Sequence, residues 1–119
     1  MAVFFKNDRI AGYIRAGIRF RVNETTKCWL DYDGDIYHAC ALGLAIAGKL
    51  GAGRGHQTFL TRLAANEGDE IKTIAEILGI DPRLVGEINK LHNLDVPAEE
   101  IAECLEFEHG GDENDSAFG

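Results

Sequence analysis

Residues 39–48 have the sequence ACALGLAIAG, and every one of them is apolar or glycine. A helix without a polar face is stable only where other elements cover it on all sides. The stretch therefore predicts a buried central helix around which the rest of the chain packs. Ala39, Gly43 and Ala47 recur every four residues and form a strip of small side chains that lets a neighbouring helix approach closely. A large side chain at Gly43 is expected to overpack this core.

An amphipathic helix is predicted on the N-terminal side of this core, from about Asn7 to Ile18. Its apolar residues recur at helical spacing: they are Ile10, Ile14 and Ile18. Asn7 or Asp8 can cap the helix by accepting a free backbone N–H of the first turn. Arg15 and Arg19 fall on the opposite side of the helix, where they are candidates for binding a partner.

A β-hairpin is predicted over about 28–38. Asp33 and Gly34 are a strong two-residue turn signal, because glycine tolerates the positive φ that such a turn needs. The flanking stretches, CWLDY at 28–32 and DIYH at 35–38, have the aromatic and β-branched content of strands. Two strands alone are marginally stable, so the hairpin is expected to lie against helices.

The segment GAGRGH at 51–56 is predicted to be a loop after the central helix, with the next helix starting near Gln57. In that arrangement Arg54 and His56 could meet an anion at the N-terminus of the following helix. A plain connector is the favoured interpretation, and an anion site is the alternative.

The second half of the chain is predicted to be helical, and residues 71–90 have the pattern of two short helices joined by a turn. Ala75 stands where the two helices would cross, and Gly79 stands in the turn. Asp81 can cap the second helix, and Pro82 takes its first position, where a missing N–H costs nothing. This pattern resembles the DNA-binding helix-turn-helix family.

The resemblance implies that residues 82–91 would lie in the major groove of DNA. Arg83, Asn89 and Lys90 would then be the DNA-binding residues. Phosphate contacts supply much of the affinity of such complexes, yet residues 61–119 contain four basic and fifteen acidic residues. DNA binding is therefore the alternative hypothesis and is disfavoured on electrostatic grounds.

A last helix is predicted to start near Pro97. Its inward-facing residues are expected to be Ile101, Cys104 and Leu105. The Glu-x-Ile-Ala segment at 99–102, together with Cys-Ala-Leu-Gly at 40–43 and Leu-His-Asn at 91–93, resembles a family of small bacterial and prophage proteins whose function is not established. This resemblance implies a bacterial or phage context and assigns no site residues.

The composition is that of a soluble globular protein. The chain has 119 residues, and we expect one domain over 1–108 and a flexible acidic tail over 109–119. The net charge is −8, which disfavours nonspecific binding to nucleic acids and to anionic membranes. No apolar run has the roughly 18 residues of a membrane span. Three widely spaced cysteines favour a reducing cytoplasm.

No motif in the sequence supplies a complete set of catalytic or metal-binding residues. The Gly-x4-Gly-Lys motif at 43–49 imitates a nucleotide-binding loop, but Leu50 stands where serine or threonine is required. The aspartates of the hairpin turn lack the spacing of a calcium loop. A zinc site or thiol pair among Cys28, His38 and Cys40 would lack a fourth ligand or an orienting group.

We therefore expect a mainly α fold, with five to six short helices around the buried central helix and one β-hairpin. We expect no enzymatic activity, no cofactor and no bound metal. The leading hypothesis is a non-enzymatic accessory or regulatory protein of the bacterial or phage-infected cytoplasm that binds another protein. The uneven distribution of charge suggests four contact residues: Arg15, Arg19, Glu99 and Glu103. The alternative is a DNA-binding regulator that uses residues 71–90.

Overall fold

The computed structural model describes residues 7–20, 22–26 and 29–106, which form six helices and three short strands. The helices are α1 (Asp8–Ile18), α2 (Ala41–Leu50), α3 (Ala52–Ala65), α4 (Glu70–Leu78), α5 (Pro82–Asn93) and α6 (Ala98–Glu106). The strands are β1 (Val22–Glu24), β2 (Leu30–Tyr32) and β3 (Tyr37–Ala39). The predicted mainly α fold is confirmed. The predicted acidic tail at 109–119 lies outside the described residues.

Helix α2 lies at the centre of the fold, as the sequence predicts. All residues from Ala41 to Ala47 are buried, and the helix contacts each of the other five helices. It begins two residues later than the apolar stretch that predicts it: Ala39 ends β3, and Cys40 is the N-cap of the helix. The hairpin thus leads directly into the core helix with one residue between them.

Three glycines allow backbone to touch backbone around α2. A Cβ atom at Gly17 of α1 would overlap the carbonyl oxygen of Leu44, and one at Gly48 would overlap the carbonyl oxygen of Tyr13. These two contacts hold α1 directly against α2. At Gly43 the close neighbour is the carbonyl of Trp29, at the start of the hairpin. The predicted close approach at Gly43 is therefore made by the hairpin and not by a helix.

The predicted hairpin is present and belongs to a three-stranded sheet. Strands β2 and β3 pair antiparallel, with Leu30 opposite Ala39 and Tyr32 opposite Tyr37. Strand β1 pairs in parallel with β3 on its other edge, so the strand order is β1-β3-β2. Strand β1 is not predicted from the sequence, because a strand of three residues is too short to show an alternation of apolar and polar side chains.

The prediction of a glycine-rich loop at 51–56 is wrong. Helix α3 begins at Ala52, and only Gly51, with φ at 89°, forms the connection. Gly55 is buried inside the helix, where an added Cβ would lie 3.0 Å from the side chain of Ile46. The glycine is needed for close packing of α3 on α2, so a residue that resembles a helix breaker is instead a packing position.

The C-terminal helices begin and end close to where their capping signals predict. Gly79 adopts the left-handed conformation with φ at 70° and ends α4. Asp81 caps α5 by accepting a hydrogen bond from the backbone N–H of Arg83 at 2.8 Å. In α6, Ile101 and Leu105 are fully buried as expected. Cys104 is only half-buried, which corrects its predicted inward position.

We predict that Gly43→Ala destabilises the protein by about 1–3 kcal/mol, because the new methyl group overpacks against the Trp29 carbonyl. The matched control is Gly12→Ala on α1, where the added methyl group meets open space. This control should raise the unfolding free energy by up to about 1 kcal/mol. Urea unfolding of both variants measures the difference. Equal stabilities would contradict the close contact at Gly43.

Candidate functional site

The four residues predicted to contact a partner do not form one free surface. Arg15 bridges α1 to α6: its guanidinium donates to Glu99 and makes two hydrogen bonds to Glu106, at 2.7 and 3.2 Å. The hydrogen bond that Arg15 donates to Glu106, reinforced by the charges of Glu106 and Glu99, raises the pKa of Arg15 above its ordinary value. Arg15 and Glu99 therefore join two helices, whereas Arg19 and Glu103 are exposed.

Of the three residues predicted to contact DNA, two lie on the exposed side of α5 and the third lies on another side. Arg83 is exposed and pairs with Asp81 at 3.1 Å, and Lys90 is exposed and lies 3.5 Å from Glu87. Hydrogen bonds from Arg83 lower the pKa of Asp81 below its ordinary value. Asn89 is half-buried and lines a cleft on another side of the helix. The exposed face of α5 thus presents balanced charges.

The residues suggested for anion or nucleotide binding also take other roles. Residues 43–49 are helical, and Lys49 donates a hydrogen bond of 2.5 Å to the carbonyl of Ile77. Arg54 is exposed on the first turn of α3. His56 lies 3.7 Å from Asp31 and stands edge-on to the ring of Tyr37. Arg54 and His56 therefore do not converge on one point.

A cleft of about 520 Å³ opens between the hairpin, α3 and α5. Its apolar wall is formed by Trp29, Leu30, Phe59 and Leu60. Its polar lining consists of Thr26, Asp31, Cys40, Glu70, Asn89, His92 and Asn93. The volume falls within the range of about 300–1,000 Å³ typical of ligand pockets. The combination of aromatic walls with convergent polar groups makes this cleft the candidate binding site.

The cleft is built by elements that the core helix fixes in place. The backbone N–H of Cys40 donates to the Trp29 carbonyl at 3.2 Å, so the start of the hairpin is tied to the N-terminus of α2. Leu30 and Phe59 are buried and form the base of the apolar wall. Leu60, on the next position of α3, is 50% exposed at the edge of the cleft.

His92 is the most unusual group in the cleft wall. It is 5% exposed, and its Nε2 atom has no hydrogen-bond partner among the described residues. A buried polar atom without a partner costs about 1–3 kcal/mol. From the sequence, His92 is expected only to have a capping or dipole role at a helix end, within the Leu-His-Asn segment. A signal was present, because His92 lies four residues after Ile88 and so continues the buried stripe of α5.

The cleft has an acidic character. Asp31 and Glu70 line it, and no lysine or arginine stands among its described lining residues. Asp31 retains 66% of its side-chain exposure, so it can pair with a group that enters from solvent. The nearest cationic candidate is His56, at 3.7 Å from Asp31. The site therefore suits a positively charged ligand group better than an anion.

A second polar cluster fixes the tip of the hairpin beside the cleft. The Nε2 atom of His38 lies 2.8 Å from Asp33, and its Nδ1 atom lies 3.0 Å from the Asn23 amide. Asp33 also accepts from the backbone N–H groups of Asp35 and Ile36, both at 2.9 Å. Both ring nitrogens of His38 are thus engaged, so His38 does not serve Cys40 as a base. The cluster links β1, β3 and the turn.

The geometry gives little support for thiol catalysis or for a metal site. Cys40 is 2% exposed at the N-terminus of α2. Buried thiols in apolar surroundings behave as small hydrophobic groups. Within residues 7–20, 22–26 and 29–106, no group of three or more His, Cys, Asp or Glu residues is placed to hold a metal ion. Cys28 lies outside the described residues.

Comparisons with protein-family models, with curated proteins and with solved structures gave no significant match. Among the described helices, none has the length and apolar character needed to cross a bilayer.

We predict that Asp33→Asn destabilises the hairpin at neutral pH and has little effect near pH 2. The hydrogen bond from His38, with those from Ile36 and Asp35, lowers the pKa of Asp33 to about 2. Because the folded-state pKa is depressed, the stabilisation is complete above the unfolded value near 4 and is lost as the pH falls towards 2. Urea unfolding between pH 7 and pH 2 measures this dependence.

The control is Asp35→Asn, which removes one negative charge from the same exposed turn. Its stability should follow that of the wild type across the pH range more closely than Asp33→Asn does. If Asp33→Asn and the wild type differ by the same amount at every pH, the Asp33 carboxylate is not the group that holds the turn.

Proposed function

We propose that this protein is a non-enzymatic accessory or regulatory protein of the bacterial or phage-infected cytoplasm, and that it acts by binding another protein. The partner supplies a basic segment with an apolar character, which binds in the cleft between the hairpin, α3 and α5. The single observation that carries this proposal is a cleft whose described lining contains Trp29, Phe59 and Leu60 together with two acidic residues, and no lysine or arginine.

The apolar wall of the cleft supports a protein partner. Leu60 is 50% exposed, and Leu94, which directly follows the lining residue Asn93, is 74% exposed. Single exposed leucines are common on protein surfaces. Two of them beside an open cleft that also contains Trp29 resemble an interface core, in which aromatic and aliphatic residues contribute most of the binding energy.

The charge of the protein supports a basic partner. Its net charge of −8 attracts positively charged segments and steers their association, an effect that weakens as salt increases. Asp31 and Glu70 concentrate this charge at the cleft. The positive charge of Arg15 on α1 is balanced by Glu99 and Glu106.

The alternative is DNA binding through the helix-turn-helix segment at 71–90. This segment contains the expected pair of helices, α4 and α5, but little positive charge. The exposed cations Arg83 and Lys90 have acidic partners in Asp81 and Glu87, so these four side chains carry no net charge. Phosphate contacts require cations that are free to displace counterions. Asn89 lines the cleft, on another side of α5 from the exposed Arg83.

We predict weak DNA binding, with dissociation constants no tighter than about 10⁻⁶ to 10⁻⁴ M at physiological salt. Fluorescence anisotropy with labelled random duplex DNA over a salt series measures this. Submicromolar binding to a defined site that is abolished by Arg83→Glu and Lys90→Glu would favour the DNA-binding alternative.

Site-specific photo-crosslinking tests the proposed function. A benzoylphenylalanine placed at Leu60 should crosslink to a partner protein in bacterial lysate, and the linked peptide should contain lysine or arginine. The same probe at Arg19, which is exposed and does not line the cleft, should give no such product. Charge reversal at the cleft, with Asp31→Lys and Glu70→Lys, should abolish the crosslink.

The matched control for charge reversal is Glu100→Lys with Glu103→Lys on the exposed side of α6. It changes the net charge equally and should leave the crosslink from position 60 intact. A crosslink that survives charge reversal at the cleft, or that occurs only from position 19, would contradict the proposal.

A further inference from the structure

The lining of the cleft brings hydrogen-bonding groups together with aromatic side chains. Asp31 and Glu70 provide carboxylate oxygens, and Asn89 and Asn93 provide amide oxygens. The Nε2 atom of His92 is buried without a partner among the described residues. These groups line one cavity together with Trp29 and Phe59. The ligand that fits them must bring several donors, a positive charge and a flat apolar surface.

We propose that the partner protein anchors in this cleft through one arginine side chain. Its guanidinium group pairs with the carboxylates of Asp31 and Glu70 at the mouth of the cleft and donates to Nε2 of His92 in its wall. This inference rests on the proposed function and specifies the residue of the partner that carries recognition.

The charge of the cleft selects a cation. Two carboxylates line it without a lysine or arginine among the described lining residues. An aspartate, glutamate or phosphorylated anchor would be repelled by both carboxylates. A tyrosine anchor would match the aromatic wall and could pair with His92, but it would leave both carboxylates facing an apolar ring. The acidic lining therefore favours a positively charged anchor over a neutral aromatic one.

The aromatic wall distinguishes arginine from lysine. A guanidinium group is flat, is weakly hydrated and stacks on aromatic rings, whereas an ammonium group is compact and strongly hydrated. Trp29 and Phe59 provide aromatic surface, and Leu60 can cover the aliphatic part of the side chain. Arginine is also one of the residues that most often carry the binding energy of protein interfaces.

The number of hydrogen-bond acceptors in the cleft also favours arginine over lysine. A guanidinium group has five N–H donors in a fixed planar arrangement, and an ammonium group has three around one point. The acceptors of the cleft come from β2, from the start of α4 and from the end of α5. Donors spread over a plane reach separate elements better than donors on one atom. His92 accepts at Nε2 when its proton is on Nδ1.

Peptide titrations followed by NMR test this inference. The probes are the blocked tripeptides acetyl-Leu-X-Leu-amide, in which X is arginine, lysine or citrulline, the neutral isostere of arginine. The arginine peptide should shift the indole resonance of Trp29, the side-chain amides of Asn89 and Asn93, and the Nε2 resonance of His92. It should bind at least about tenfold more tightly than the citrulline peptide, since hydrogen bonds between charged groups are the strong ones.

Substitutions in the cleft test which side chains produce the preference for arginine over citrulline. Asp31→Asn and His92→Leu should each reduce the preference for arginine over citrulline by about three- to tenfold, whereas His92→Gln, which retains an acceptor, should restore part of it. Asn89→Ala, at a half-buried position, tests the same site if a His92 variant fails to fold. Glu100→Gln on the exposed face of α6 is the control and should change nothing.

The outcomes separate this inference from the function on which it rests. Equal binding of the three peptides at the cleft would overturn the arginine anchor and leave the binding function intact. The same holds if the crosslink from position 60 forms and the arginine peptide does not shift the cleft resonances. If neither the crosslink nor any peptide shift occurs at the cleft, both proposals are wrong.

Discussion

Direct contact between backbones at α2 is the constraint on which the rest of the structure depends. Gly17 and Gly48 bring α1 and α2 together with no side chain between them, and Gly43 brings the Trp29 carbonyl onto the same helix. Such contacts require glycine, because any Cβ would overlap a carbonyl group. A helix that is apolar on every side is then covered on all sides by elements that cannot move away.

The position of the cleft follows from this packing. The Trp29 carbonyl rests on Gly43 and accepts from the N–H of Cys40, which fixes the start of the hairpin at the N-terminus of α2. Gly55 lets α3 pack closely on Ile46, so that Phe59 and Leu60 face the hairpin across a gap. The floor of the cleft is therefore rigid, whereas its acidic groups are exposed and available to a partner.

Much of the fold can be predicted from local signals, because each signal depends on a few neighbouring residues. Asn7 accepts from the N–H of Ile10, Gly79 takes the left-handed conformation, and Gly34 has the expected positive φ, although the hairpin connection spans residues 33–36 and not two residues. Features that depend on contacts between residues far apart in the sequence are not predicted. Strand β1 exists through its pairing with β3, and Gly55, one of the glycines that suggest a loop at 51–56, instead lies within a helix and packs against Ile46.

The candidate site was less predictable than the fold for the same reason. Arg15 was expected to be free, yet Glu99 and Glu106 approach it from a helix more than eighty positions later in the chain. Asn89 was expected to face DNA and instead lines the cleft. His92 continues the buried stripe of α5, and only the packed structure shows that its Nε2 atom lacks a partner among the described residues.

Native-state hydrogen exchange of individual backbone amides tests the central role of α2 most directly. The account predicts that amides in α2 exchange only through global unfolding, with a protection free energy equal to the unfolding free energy from urea. Amides of β1 and of the exposed turn at Gly34 should exchange through smaller, local openings. If α2 exchanges through a partial opening while α4 and α5 stay protected, α2 is not the element that holds the fold and its cleft in place.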